Sequence, residues 1–223
     1  VRIDLDIPVL CADGAFGRLA DVVIDRGTLR LTHLVVVPHD GDDRPRLATI
    51  EGARTAAGSE GVLLACTVAE LGESESIQES VYVRPGDFPA GGPDWDLGIQ
   101  EIYPSPEYGS LGPEIMGAGM TMEYDEHVAV SYHRIPKHGA EIRRSSPVTS
   151  SDAHHVGHVV GFVIDDDHRI TELVLEHGHL WGKRMVAIPG SAIDRFETDE
   201  LILSLTGDEV GDLKPLPAHH SGS

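Results

Sequence analysis

Residues 176–189 read EHGHLWGKRMVAIP, and in this run His177, His179, Trp181 and Lys183 stand two apart. On one continuous strand all four would share a face. Two imidazoles, an indole and an ammonium side by side would form a binding site. A second cluster, HHVGH at 154–158, sets His154 four residues from His158, with His155 next to the first. On a strand, His154 and His158 share a face and His155 points the other way. A zinc site needs three or four converging ligands, so distant residues such as His168, His177 or His179 would have to complete the set. The glutamate of HExxH is missing, and the cluster precedes the run VVGFVID rather than lying on a helix. Solvated turn histidines are the plainer reading; metal ligation by His154, His158, His177 and His179 is the sharper one. Asp165-Asp166-Asp167 lacks the spaced ligands and terminal Glu of an EF-hand loop and reads as a hairpin turn. GxSxG, GxxxxGK[ST] and GxGxxG are all absent. No catalytic residue is assigned, no cofactor is expected, and the chain is not expected to be an enzyme.

The elements that must position these groups come in two copies. VLCADGAFGRLADVVID at 9–25 matches VTSSDAHHVGHVVGFVID at 148–165. RLTHLVV at 30–36 matches RITELVL at 169–175, LATIEGA at 47–53 matches VAIPGSA at 186–192, and LLACTVAEL at 63–71 matches ILSLTGDEV at 202–210. A constant offset of 139 residues, as from Asp13 to Asp152, relates the segments apart from one inserted residue before Gly157. Each match alone is weak, but one offset held over four segments implies a duplicated module of roughly 65–75 residues.

Within each copy, short β-branched and aliphatic runs are bounded by Gly, Asp and Pro, as in a closed or nearly closed sheet of short strands. Asp13-Gly14 and DRGT at 25–28 are turn signals. Helix is limited to single turns near 67–71 and 206–210. There Thr67 with Glu70, and Thr206 with Glu209, have the spacing of a capping box. The repeat register puts Val23 with Val163 and Leu34 with Leu173, all four expected in the core. Gly17 and Gly157 are expected at a bulge or close approach. The stretch from 72 to 141 differs, with prolines and glycines interleaved with Phe88, Trp95, Tyr103, Tyr108, Tyr124 and three methionines. A flexible tether would be polar and poor in aromatics. Partial order is therefore expected, with HVAVSYHRIP at 127–136 a strand and the aromatic stretches packed on the modules.

Acidic residues outnumber basic ones by 37 to 17, giving a net charge of -20 spread along the chain. This field repels phosphate backbones, and the Arg143-Arg144 pair is too small to override it, so no nucleic-acid partner is expected. No run reaches the roughly 20 apolar residues of a membrane helix, and no basic-then-apolar signal peptide pattern opens the chain. Hence no transmembrane segment is expected. Cys11 and Cys66 are isolated and read as two buried thiols, which fits a reducing cytoplasm.

The pattern D-x-x-x-G-x-x-x-x-V-V-I-D followed by T-H-L-V-V, repeated as G-F-V-I-D…ITELVLEHGHLWGKRMVAIPGSAI, resembles the PRC-barrel domain. That domain is named for the photosynthetic reaction-centre H subunit and also forms the C-terminal half of the ribosome-maturation factor RimM. The resemblance covers roughly residues 4–72 and 142–213. It implies an all-β fold: two small PRC-type (SH3-like) β-barrels, at 1–72 and 142–214, joined by a segment at 73–141 and followed by a tail at 215–223. Members are mostly adaptor or assembly modules, so it implies a non-catalytic protein-interaction module of the bacterial cytoplasm and supplies no catalytic set.

The first copy has DGDDRPR where the second has HGHLWGKR. Both stretches connect neighbouring strands, so His177, His179, Trp181 and Lys183 are spread around a loop rather than lined up on one face. The candidate partner contacts are Trp95, Tyr103, Tyr108 and Trp181, on an unidentified protein or a second copy of the chain in a homo-oligomer. Two other readings stand beside this one. The first is a small-ligand or metal-binding protein using the histidine-rich second module. The second is a peripheral membrane scaffold like the H subunit, against which the acidity argues.

Overall fold

The computed structural model of the chain describes residues 1–39, 41, 44–55, 61–84, 86–104, 128–178, 184–197 and 199–216. It is mostly β, with two similar seven-stranded mixed sheets and a third sheet of three strands. The first large sheet uses β2 (Pro8–Cys11), β3 (Gly14–Asp25), β4 (Arg30–Pro38), β5 (Arg46–Thr49), β6 (Arg54–Thr55) and β7 (Val62–Leu63) in the order β5-β4-β3-β2-β7-β6. The second uses β12 (Pro147–Thr149), β13 (His155–Ile164), β14 (Ile170–His177), β15 (Arg184–Pro189), β16 (Ile193–Glu197) and β17 (Glu200–Leu203) in the order β15-β14-β13-β12-β17-β16. The parallel pair recurs as well: Val9 faces Val62, and Val148 faces Leu201. Among the described strands no pairing joins the two ends of either sheet.

The seventh strand of each sheet comes from the other half of the chain. β1 (Arg2–Asp4) pairs with β13, and β11 (Gly139–Arg143) pairs with β3. Ile3 lies opposite Phe162 as Ile142 lies opposite Val22, so the exchange is reciprocal. A second reciprocal contact joins the halves: Leu31 N–H donates to His168 O and Ile170 N–H donates to Leu29 O, both at 2.9 Å. Leu29 and His168 have positive φ, at 55° and 60°. The two modules are thus related by a pseudo-two-fold. They share one continuous apolar core, from Ile3, Leu19, Leu34 and Ile142 in one half to Phe162, Leu173, Ile188 and Val210 in the other. Neither module covers its own apolar face.

Local chemistry recurs with the fold. Asp25 Oδ1 accepts from the N–H groups of Gly27 and Thr28, and Asp165 Oδ1 accepts from those of Asp167 and Arg169, so an Asp side chain braces the corresponding turn of each module. α1 (Val68–Glu73) and α2 (Gly207–Gly211) both begin in complete capping boxes, Thr67 with Glu70 and Thr206 with Glu209. The next free N–H of each turn is taken by a distant acid, Val68 N by Asp13 at 2.8 Å and Gly207 N by Asp152 at 2.9 Å. Gly17 and Gly157 sit opposite Val9 and Val148, each beside a register shift.

Two expectations need correction. Leu34 lies opposite Ala48 while Leu173 lies opposite Ile188, so β5 and β15 correspond one residue away from the sequence match. Val23 is fully buried, whereas Val163 is only half-buried. The difference comes from the third sheet, β8 (Gln78–Val83), β10 (Val128–Pro136) and β9 (Trp95–Pro104), built from the segment between the modules. Ile77 and Ile135 from this region close over Val23 and Val35 in a small second core. On the equivalent outer face of the second module Val174, the counterpart of Val35, is buried, while Val163 remains half-buried. The strand at 128–136 appears as expected, but as the centre of a sheet rather than as extended chain laid on a barrel.

Candidate functional site

Three strands from three parts of the chain bring Asp21, His133 and Glu141 together. Asp21 follows a bulge in β3, where the register with β4 shifts between Leu19 and Asp21. His133 occupies a bulge in β10, where the register with β9 shifts between Tyr132 and Arg134. Bulges re-aim side chains, and here two of them aim polar groups at the exchanged strand β11, which carries Glu141. The Glu141 side chain is wholly buried, yet both its oxygens are partnered. Its Oε2 accepts from Ile99 N–H at 2.7 Å, and its Oε1 lies 2.7 Å from His133 Nδ1. Gly98 makes room for it, since a Cβ there would stand 2.0 Å from Oε2.

One ligand atom from each of Asp21, His133 and Glu141 lies within 4.8 Å of the other two, the single such grouping of three or more His, Cys, Asp or Glu among the described residues. Burial first, and then the Glu141 carboxylate, push the Asp21 carboxyl up to about 7. Burial opposes protonation of His133, but the hydrogen bond and charge of Glu141, with Asp21 behind it, prevail and raise its pKa. The guanidinium of Arg143, opposite Asp21 on β11, pairs with Asp199 through Nη2 and with Glu101 at 3.5 Å through Nη1, and its charge also favours the Asp21 carboxylate. Asp21 and His133 line a cleft of about 630 Å³, which Arg18, Glu101, Arg144 and His158 also border. Such a grouping can hold a proton between carboxylates or a cation that prefers nitrogen and oxygen.

The residues singled out in the sequence lie elsewhere. His154 is exposed, with Nδ1 3.0 Å from Asp152. His158 is exposed at the cleft margin, with Nδ1 3.1 Å from Ser145 O and its ring 4.8 Å from that of His155. His177 ends β14 with Nδ1 2.6 Å from Val156 O. His179, Trp181 and Tyr108 lie outside the described residues. The run that holds His177, His179 and Trp181 connects β14 to β15, whose ends pair antiparallel at His177 and Arg184. Trp95 is half-buried, stacked on Tyr132 at 6.0 Å and 11° with the Arg134 guanidinium 4.9 Å from its ring centre. Tyr103 is 50% exposed, and Tyr82 and Ile102 near it are 71% and 55% exposed.

Cys11 and Cys66 are free thiols, the first buried. Burial, then the neighbouring Cys66, pushes the Cys11 thiol up to about 12, which leaves it unreactive at neutral pH. No helix among the described residues is long and apolar enough to cross a membrane. No family model matches the chain, and no curated protein matches it.

No two of Asp21, His133 and Glu141 share a sequence motif. The repeat holds the signal that could have found two of them. Glu141 and Asp21 occupy the β11–β3 positions that Arg2 and Gly161 occupy in the β1–β13 pair. Arg2, Asp4 and Gly161 in one module stand where Glu141, Arg143 and Asp21 stand in the other, so the acid and the cation of the exchanged strand trade places and Asp21 is the added acid.

Proposed function

We propose that the chain is a non-catalytic protein-interaction and assembly module made of two PRC-type β-barrels that act as one unit. The observation that carries this reading is the outer end of the three-stranded sheet. Tyr82 and Tyr103 stand in one cross-strand row with Ala129, and Ile102 stands on the opposite face. All three are at least half exposed. Among the described residues no strand pairs with the outer edge of β8 or β9. Large apolar side chains kept in water on both faces of a sheet with open edges suit a protein partner. The acidity of the chain favours a partner with a basic surface. A cytoplasmic setting is consistent with the free thiols. The combined variant Tyr82→Ser, Ile102→Ser, Tyr103→Ser should leave folding intact and abolish capture of the proteins that the wild type retains from extracts of its host. Sedimentation of the two forms shows whether that partner is a second copy. Identical capture by both forms would exclude this surface as the interface.

A further inference from the structure

We infer that Asp21, His133 and Glu141 form a binding site for one divalent first-row transition ion, with zinc the leading candidate, open on its fourth side to the cleft. The inference goes beyond the assembly role, since the site lies at the junction of three strands and not on the exposed sheet end.

Three observations converge on it. The donor set is one imidazole and two carboxylates within 4.8 Å of one another. Such a set suits zinc, manganese, iron or cobalt; magnesium and calcium prefer all-oxygen sites, and soft ions prefer sulfur. Next, Asp21 is only 7% exposed, and among the described residues no donor is hydrogen-bonded to its carboxylate. Its carboxylate sits at the cleft and faces the other two groups. Finally, local charge is short of a cation. Glu141 has His133 as its ionic partner, and Arg143 is committed to Asp199 and Glu101. A divalent ion between Asp21 and Glu141 would supply the missing charge.

The second module argues for selection rather than accident. At its matching strand positions stand Arg2 and Gly161, and Gly161 has no room for a side chain because a Cβ would lie 2.7 Å from Asp4 Oδ1 and from Ile3 O. One site per chain follows. The ion would tie the exchanged strand and the third sheet to the first module, with water from the cleft as the remaining ligand.

The full chain, produced without a histidine tag and stripped with chelator, is titrated with zinc and with cobalt. We expect one equivalent of each per chain, cobalt absorption bands of a site with nitrogen and oxygen donors, and a zinc-dependent rise in unfolding temperature. Asp21→Asn and His133→Gln should each weaken zinc binding roughly tenfold or more, while a His154→Ala, His158→Ala double variant keeps it. Asp21→Asn also guards against a folding artefact, because it removes an unpartnered buried charge at constant shape. Its metal-free unfolding temperature should equal or exceed that of the wild type while the zinc-dependent rise vanishes. Absence of stoichiometric binding by the stripped wild type would overturn the inference. Binding that survives Asp21→Asn and His133→Gln, or that is lost with His154 and His158, would overturn it equally.

Discussion

Glu141 joins the exchanged strand to the third sheet through two hydrogen bonds made with no exposure to water. Glu141→Ala leaves the buried His133 ring without its partner and the Ile99 N–H without an acceptor. Breaking a buried pair in this way costs about 3–5 kcal/mol, which urea unfolding would read as a large drop in midpoint. Glu141→Gln retains an acceptor for Ile99 and should cost less; equal losses would mean that the hydrogen bond to Ile99 carries little. Asp152 gives a pH test in the other module. Hydrogen bonds from Ser150 and then from Gly207 N–H pull its carboxyl down from 3.8 to about 2. The folded-state pKa is the lower one, so its contribution is present above pH about 4 and is lost as pH falls through about 2. The stability gap between wild type and Asp152→Asn should therefore stay constant above that window and close within it; a gap that persists at the acid end would discount the carboxylate. The capping box beside Asp152 was legible, because Thr206 and Glu209 recur at the offset that links them to Thr67 and Glu70. The grouping of Asp21 with His133 and Glu141 was not. It depends on which sheet residues 139–143 join, and local pattern does not encode that choice.

At the scale of the strand, the close approaches at Gly17 and Gly157 are the most exacting local feature. A Cβ on Gly17 would meet Val37 O at 2.0 Å, and one on Gly157, where φ is 147°, would meet Glu176 O at 2.1 Å. Each carbonyl belongs to the neighbouring strand of the same sheet and cannot retreat without breaking its ladder. Gly17→Ala and Gly157→Ala should each cost about 1–3 kcal/mol. Since both modules share one core, each variant should lower one common thermal transition rather than split it in two; two separate transitions would show independent cores. Strand identity was readable from aliphatic runs between turn residues, and the single helical turns from their capping pairs. The β5 and β15 match slipped by one because LATI and VAIP look alike out of register. Pairing partners fix that register, with Leu34 on Ala48 and Leu173 on Ile188. The third sheet was hidden by its prolines and glycines, which suggested extended chain although Val128–Pro136 has a partner on each side.

The whole molecule is held by strands that have changed sides. If the chain is expressed as two pieces, 1–115 and 116–223, each piece carries a strand that completes the other's sheet. Co-expressed, the pieces should copurify as a one-to-one complex with the circular dichroism of the intact protein, and each alone should aggregate or remain unfolded. Two separately folded, non-associating pieces would contradict a shared core. Reciprocal completion also bears on ancestry. A single-copy ancestor with this architecture would have lacked one strand and exposed half of its core, and a second identical chain was the available remedy. Duplication and fusion would join two such partners in one chain. Halves so joined need not be identical, and here one carries Asp21 and Glu141 where the other carries Gly161 and Arg2.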